Sequence, residues 1–359
     1  MSLTFEHTTL GQRVLFGTGR AGEHLASEIA RLGARRVMVI ASSSQSRAAE
    51  AVTKDIDVAL TYTDVAPHVP IEKARKGRAA AAGAGIDLLV CIGGGSTIGL
   101  AKAIAMTSGL PIVAVPTTYA GSEATNVWGL TEDSRKTTGV DDRVLPVSVI
   151  YDADLTLELP VGLSVASGLN ALAHCVDSMW APRTDPINQT LAAEGIRALN
   201  LGLRTIKRDP HDLDGREEAL YGAYLSAVAF ASAGSGMHHK ICHVLGGAYS
   251  MPHAQTHAVV LPHVLAFNAP HAPAAAARIA AAFGSEDATA GLQALREDLD
   301  APLALREYGL AEADIPEAAA LILPAVPPSN PRTATAENLE KLLRDAYRGT
   351  AAGLRLVQA

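Results

Sequence analysis

Over roughly the first 150 residues, short apolar runs alternate with longer alanine-rich stretches. The runs are Val37-Met-Val-Ile40, Leu88-Leu-Val-Cys-Ile92 and Ile112-Val-Ala-Val115. Runs without polar alternation fit strands covered on both faces, as in a parallel sheet. Ile71–Ala84 and Leu100–Thr107, between them, read as helices. Strand and helix in alternation predict an α/β fold with a parallel sheet and right-handed crossovers. Beyond Asp152 the pattern changes to helical periodicity over Gly168–Trp180, Gln189–Leu203, Glu217–Ala233 and Ala274–Phe283, with few strand signals. The boundary is expected near Asp154–Pro160, where Pro160 and Gly162 punctuate the chain. This predicts an α/β domain over 1–155 and a helical domain over 156–359. A proline-rich loop, Pro324–Pro331, precedes a final helix at Ala336–Tyr347.

Composition narrows the function classes. The net charge of −7 lacks the basic face of a nucleic-acid binder and offers no polybasic membrane patch. With 48% hydrophobic and 19% charged residues the chain is globular, and 359 residues suffice for two cores. No apolar run reaches the roughly 18–20 residues that span a bilayer. The opening MSLTFEHTTLGQ has no cationic segment followed by a long apolar one. Cys91, Cys175 and Cys242 are odd in number and far apart. Together these features lead us to expect a cytoplasmic protein with reduced thiols.

Two glycine motifs are unequal. Gly17-Thr-Gly-Arg-Ala-Gly22 fits G-x-G-x-x-G, but the next strand ends Ile40-Ala-Ser-Ser-Ser44 without the acidic residue that would hold a ribose. It reads as a tight turn into a helix. Gly93-Gly94-Gly95-Ser96 follows the most apolar strand and opens the helix carrying Lys102. Three glycines let backbone N–H groups approach an anion, and the helix N-terminus adds positive potential, so this reads as a pyrophosphate cradle. Pro116-Thr117-Thr118-Tyr-Ala-Gly-Ser122 follows the next strand in the same way. Its hydroxyls suit nucleotide phosphate or ribose, and equally a plain N-cap and turn.

Six of the twelve histidines fall between His238 and His263. His239 and His243 share a helix face, as do Asn170 and His174. His253 follows Pro252, where a further helix is expected to begin. Facing helices bearing such pairs build metal or imidazole sites. His174, His239, His243 and His253 are the candidate set; His238, His257 and His263 read as packing residues.

Taken together, GGGS after a strand, PTT-x-x-GSE after the next and His-x3-His-x9-His make the sequence resemble the iron-containing alcohol dehydrogenase superfamily. Within it the chain most resembles the maleylacetate reductases, through Pro116–Ala153, Ser167-GLNALAH-Cys175 and Ser329-NPR-Thr333. The resemblance implies a dehydroquinate synthase-like fold with its active site in the cleft between the domains. It also implies NADH or NADPH as cofactor and a homo-oligomer, with a dimer favoured. It assigns Gly93, Gly94, Gly95, Ser96, Thr117, Thr118, Ser122, Ser42 and Lys136 to the cofactor. Metal-dependent members hold iron or zinc through one Asp and three His, which fall here on Asn170, His174, His239 and His253. An amide replaces the only anionic ligand, so no catalytic metal is expected. Ser42 stands where many NAD-preferring relatives carry Asp, which removes repulsion of a 2′-phosphate and implies that both cofactors are accepted. Gly99 stands where metal-dependent members commonly carry an acid.

The implied reaction is reduction of the carbon–carbon double bond of maleylacetate, a dicarboxylate, to 3-oxoadipate in bacterial aromatic-compound degradation. His243 would donate the proton; His174, His239 and His253 would hold the oxyanion or a carboxylate, and Asn170 would add an amide hydrogen bond. Arg332 and Arg143 are candidates for the substrate carboxylates. The rival reading is a metal-dependent alcohol dehydrogenase acting on a small alcohol or aldehyde.

Overall fold

Each apolar run forms a strand whose side chains alternate between two covered faces. A computed structural model of the chain describes residues 4–132 and 135–350. Six strands form a parallel sheet: β1 (Arg13–Phe16), β2 (Val37–Ile40), β3 (Val58–Tyr62), β4 (Leu88–Gly93), β5 (Ile112–Pro116) and β8 (Ser148–Tyr151). Their order is β1-β8-β5-β4-β2-β3. Met38, Ile40, Leu89 and Cys91 pack on one face, with residues of α3 (Ile71–Gly83) and α4 (Gly95–Ser108). Val37, Val39, Leu88, Val90 and Ile92 pack on the other, with α1 (Ala21–Leu32) and α2 (Ser46–Thr53). An antiparallel ribbon of β6 (Val127–Glu132) and β7 (Arg135–Val140) lies outside the main sheet.

Strand order places the ligand end of this sheet. The chain leaves β2 for β3 on one side and β4 for β5 on the other, so β2 and β4 flank a topological switch point. Ligands of open parallel sheets bind outside the carboxyl ends of such strands. Ser42 and Gly93–Ser96 stand at those ends.

The helical part comprises α5 (Val161–Ser178), α6 (Pro186–Arg208), α7 (Leu213–Ala233), α8 (Met237–Tyr249), α9 (His253–Asn268), α10 (Pro273–Phe283), α11 (Ala288–Asp298), α12 (Ile315–Ile322) and α13 (Ala336–Arg348). By backbone contacts the chain divides into two units. Leu10–Leu159 with His211–Leu220 form the α/β unit; Pro160–Pro210 and Tyr221 onward, with the segment through Thr9, form the helical one. Buried on all sides from Ser164 to Ser178, α5 is the core helix of its unit. Glycine makes that packing close: a Cβ at Gly168 would meet Leu203 at 2.4 Å, and one at Gly195 would meet Cys175 Sγ at 2.7 Å. No described helix is long and apolar enough to cross a membrane.

Inside α9, Pro262 has no N–H for the carbonyl of Ala258, four residues back. Buried Arg296, on α11, fills the vacancy by donating to Ala258 O and to Pro302 O (2.8 Å). Replacing Arg296 with Met orphans both carbonyls and is expected to destabilise the fold by about 2–4 kcal/mol. In calorimetry this lowers Tm by about 5–15 °C; an unchanged Tm would show that the carbonyls are satisfied without the guanidinium.

Candidate active site

The two glycine loops differ in whether their backbone donors are already engaged. At Gly17–Gly22, the N–H groups of Gly19 and Ala21 donate to the Asp152 carboxylate at 2.8 and 2.9 Å. That loop is closed by the protein itself. At Gly93–Ser96, α4 begins at an N-cap glycine, Gly94, with no side-chain cap. Gly93 has φ +151°, and a Cβ there would meet Thr97 Oγ1 at 2.6 Å. A Cβ on Gly94 would meet Thr118 at 2.9 Å. The loop after β5 is thus seated against the glycines, and Thr117 donates its N–H to Gly93 O at 3.2 Å. Thr117 Oγ1 is buried without a partner.

Lys102 holds this loop in place. Its Nζ, fully buried on α4, donates to the carbonyls of Ser122 (2.6 Å), Thr125 (2.7 Å) and Val127 (2.8 Å). Burial pushes its ammonium down to about 7, against the pull of nearby Glu123. Glu123 accepts from Tyr151 at 2.9 Å. Ser42 is half-buried after β2, its hydroxyl 2.9 Å from Ser44. Lys136 pairs with Thr131 in the ribbon, and its side chain lies outside the described residues. Gly99 has a packing reason: a Cβ there would meet Val69 at 2.8 Å.

In the helical unit, α5, α8 and α9 bring the histidines together. The rings of His174 and His239 stack at 4.9 Å, and Phe230 packs on both at 4.8 and 4.3 Å. His243 stands edge-on to His239 at 6.1 Å, and His253 lies 4.3 Å from His257. His238 and His257, taken from the sequence as packing residues, belong to the same cluster. Their Nε2 and Nδ1 are 3.0 Å apart, with Cys242 Sγ 3.6 Å from His238 Nε2. The cluster has a sealed floor and an open rim: Asn170, His174 and His239 are buried, His243 is half-buried and His253 exposed.

Burial sets the charge of that floor. It pushes His174 and His238 down to about 3 and holds His239 and His257 well below the usual imidazole range. These rings are neutral near pH 7. Buried atoms without partners include Asn170 Oδ1, His174 Nδ1 and His239 Nε2. His239 Nδ1 lies 2.8 Å from Asp177 Oδ2, a carboxyl that burial raises to about 7. Sequence reasoning missed Asp177, although Asn170, His174 and Asp177 recur on one face of α5.

Among the described residues, His238, Cys242 and His257 form the one trio of His, Cys, Asp or Glu whose donor atoms all lie within 4.8 Å of one another. His174, His239 and His253 are not among the residues so grouped. Both candidate arginines are exposed, and each already has a neighbour. Arg143 is held by Asp141 at 2.6 Å, and Arg332 lies over the Phe267 ring at 4.4 Å.

Comparison with known proteins gives a consistent result. The family profile described as iron-containing alcohol dehydrogenase matches residues 11–153, and its C-terminal counterpart matches 164–347. The maleylacetate reductase of Pseudomonas sp. strain P51 is 44% identical over 349 residues, 97% of this chain and 99% of that protein. Among solved structures, an iron-containing alcohol dehydrogenase from Corynebacterium glutamicum is 60% identical with TM-score 0.97, covering 99% of each chain. The maleylacetate reductase of Agrobacterium tumefaciens is 39% identical with TM-score 0.92, covering 98% of this chain and all of that one.

Proposed function

Because this chain belongs to the iron-containing alcohol dehydrogenase family, and within it to the maleylacetate reductases, we propose that it reduces the carbon–carbon double bond of maleylacetate to give 3-oxoadipate. The observation that carries this reading is the neutral imidazole and amide floor, joined to a full-length likeness to maleylacetate reductases. The oxidoreductase class follows from the family; substrate, cofactor choice and residue roles are our assignment.

NADH or NADPH, when bound, supplies the hydride that adds to the carbon β to the ketone. The residues suit such a cofactor. Gly93–Ser96 would hold its pyrophosphate on the uncapped N-terminus of α4, beside the orphaned Thr117 hydroxyl, with Thr118 and Ser122 alongside. Charge then develops on the ketone oxygen as an enolate. Asn170 can donate its amide to that oxygen, and His243 supplies the proton for the adjacent carbon. Imidazoles of the rim, with His174, shape the acyl pocket. The α/β unit would thus carry the cofactor and the helical unit the substrate-side chemistry.

A catalytic metal does not suit these donors. Asn170 is neutral, so the family-position imidazoles have no anionic co-ligand, and the donors grouped at ligand spacing among the described residues are those of His238, Cys242 and His257 instead. We therefore derive no step through a metal ion. In the deciding experiment, protein stripped with a chelator is given maleylacetate and NADH, and NADH oxidation is followed by absorbance. Rapid turnover without added metal is expected. Turnover only after adding iron or zinc would overturn the metal-free reading, and no turnover in either case would overturn the substrate.

Ser42 leaves no carboxylate at the carboxyl end of β2 to repel a 2′-phosphate. NADH and NADPH are expected to give kcat/KM values within about a hundredfold, or about 2.7 kcal/mol; a larger preference would refute this. Assembly as a homodimer in the cytoplasm completes the proposal.

A further inference from the structure

We propose that Asp177 is a positioning residue that fixes the His239 proton on Nδ1, so that His239 turns an unprotonated Nε2 into the cluster. The effect on the reaction rests on the reductase reading above; the tautomer itself does not.

Asp177 is completely buried on α5, three residues after His174 and seven after Asn170. Its Oδ2 accepts from the backbone N–H of Gly236 at 2.9 Å and faces His239 Nδ1 at 2.8 Å. The N–H groups of His238 and His239 also point at the carboxyl oxygens, each at 3.4 Å. These are the opening donors of α8, which stabilise the ionised carboxyl against the burial that raises it. The chain leaves room for it: a Cβ on Gly236 would sit 2.4 Å from Asp177 Oδ1. A carboxylate only accepts hydrogen bonds, so the ring nitrogen facing it must donate. A neutral imidazole has one proton to place, which leaves a lone pair on Nε2. That Nε2 is buried without a partner.

A lone pair cannot donate to an enolate oxygen. The oxyanion role that the sequence suggested for His239 therefore passes to its neighbours, beginning with the Asn170 amide. His239 instead accepts a hydrogen bond from a proton-bearing group in the site, whether on the substrate or on water. Asp177 touches none of the reacting atoms and acts through the ring it orients, as outer carboxylates do for catalytic histidines.

The test is Asp177→Asn in the full-length protein. Asn keeps the shape; the place of Oδ2 faces both the Gly236 N–H and His239 Nδ1, so seating the amide nitrogen there gives up the Gly236 hydrogen bond and leaves the amide oxygen to the His238 N–H. Its amide N–H then faces Nδ1 and drives the ring proton to Nε2. Long-range proton–nitrogen spectra of histidine-labelled protein at pH 8, with His239→Gln to assign the ring, should show a protonated Nδ1 and a bare Nε2 in the parent. The two are exchanged in Asp177→Asn. The same variant should lose about a hundredfold in kcat while KM for NADH stays within about threefold, since a wrong tautomer impairs the chemical step. A parent spectrum with the proton on Nε2 overturns the proposal, even if Asp177→Asn fails to fold. So does an Asp177→Asn enzyme whose ring proton has moved to Nε2 and which still has the parent's kcat. Should the parent not turn over maleylacetate, the spectrum alone decides, and that failure counts against the reductase reading instead.

Discussion

Lowering the pH from 7 to 5 is expected to destabilise this protein steeply. His174 and His238 are held at about 3, His263 at about 4, and His239 and His257 well below the ordinary value, all chiefly by burial. An imidazole depressed in the folded state is protonated in the unfolded chain first. Below about pH 6.5 the unfolded state therefore binds more protons, and stability falls as pH falls. The loss continues until the folded-state values are reached, near pH 4 to 3. Two carboxyls oppose it. Asp177, raised to about 7, and Glu123, also raised by burial, take up protons in the folded state first. The depressed imidazoles number five against these two raised carboxyls, so the balance near pH 5 still favours proton uptake by the unfolded chain. Whole domains are stable by only about 5–15 kcal/mol. Thermal melts at half-unit intervals would show Tm falling steeply below pH 6.5. A Tm constant from pH 7 to 5 would mean that water or counter-charges reach the cluster.

Replacing His243 with Ala is expected to lower kcat at least about a hundredfold, the usual loss when a general acid is removed. A proton donor must reload from solvent between turnovers. The buried rings of His174 and His239 are sealed and neutral, whereas His243 is half-buried and stands edge-on to His239 at 6.1 Å. It therefore links the floor of the cluster to water. Steady-state kinetics on a variant with the parent's circular dichroism checks this. A loss of tenfold or less would take the proton from His243 and point to His253 on the exposed rim.

How much of this was legible in the sequence depended on range. The strands β2, β4 and β5 announce themselves because both faces are covered and no polar residue interrupts them. At the sheet edge β3 alternates between half-buried and exposed positions, and in the β6–β7 ribbon glycine interrupts the apolar start of β6 while β7 is largely polar, so neither has such a run. The pairs Asn170/His174 and His239/His243 were readable because helical spacing fixes them locally. His238 was not, because adjacent helix residues point about 100° apart and its partner, His257, comes from another helix. Arg296 filling the gap left by Pro262, and Lys102 gathering three carbonyls, pair residues twenty or more positions apart. No local period encodes such pairs. Asp177 stood in plain view on the α5 face, but an acid among apolar neighbours gave no hint of its target.

The clasp between Asp152 and the Gly17–Gly22 turn also bears on how the chain comes to be folded. At its edge position β1 pairs only with β8, and the first turn of α1 is tied to the residue just past that strand. During synthesis β1 and α1 must therefore wait for more than 130 further residues before the strand has a neighbour and the helix a cap. Nascent chains cut short of Asp152 would carry β1 without its partner and α1 without its cap, open to proteases and to pairing with other unfinished chains. A strand made well before its partner thus settles into place only once that partner has followed.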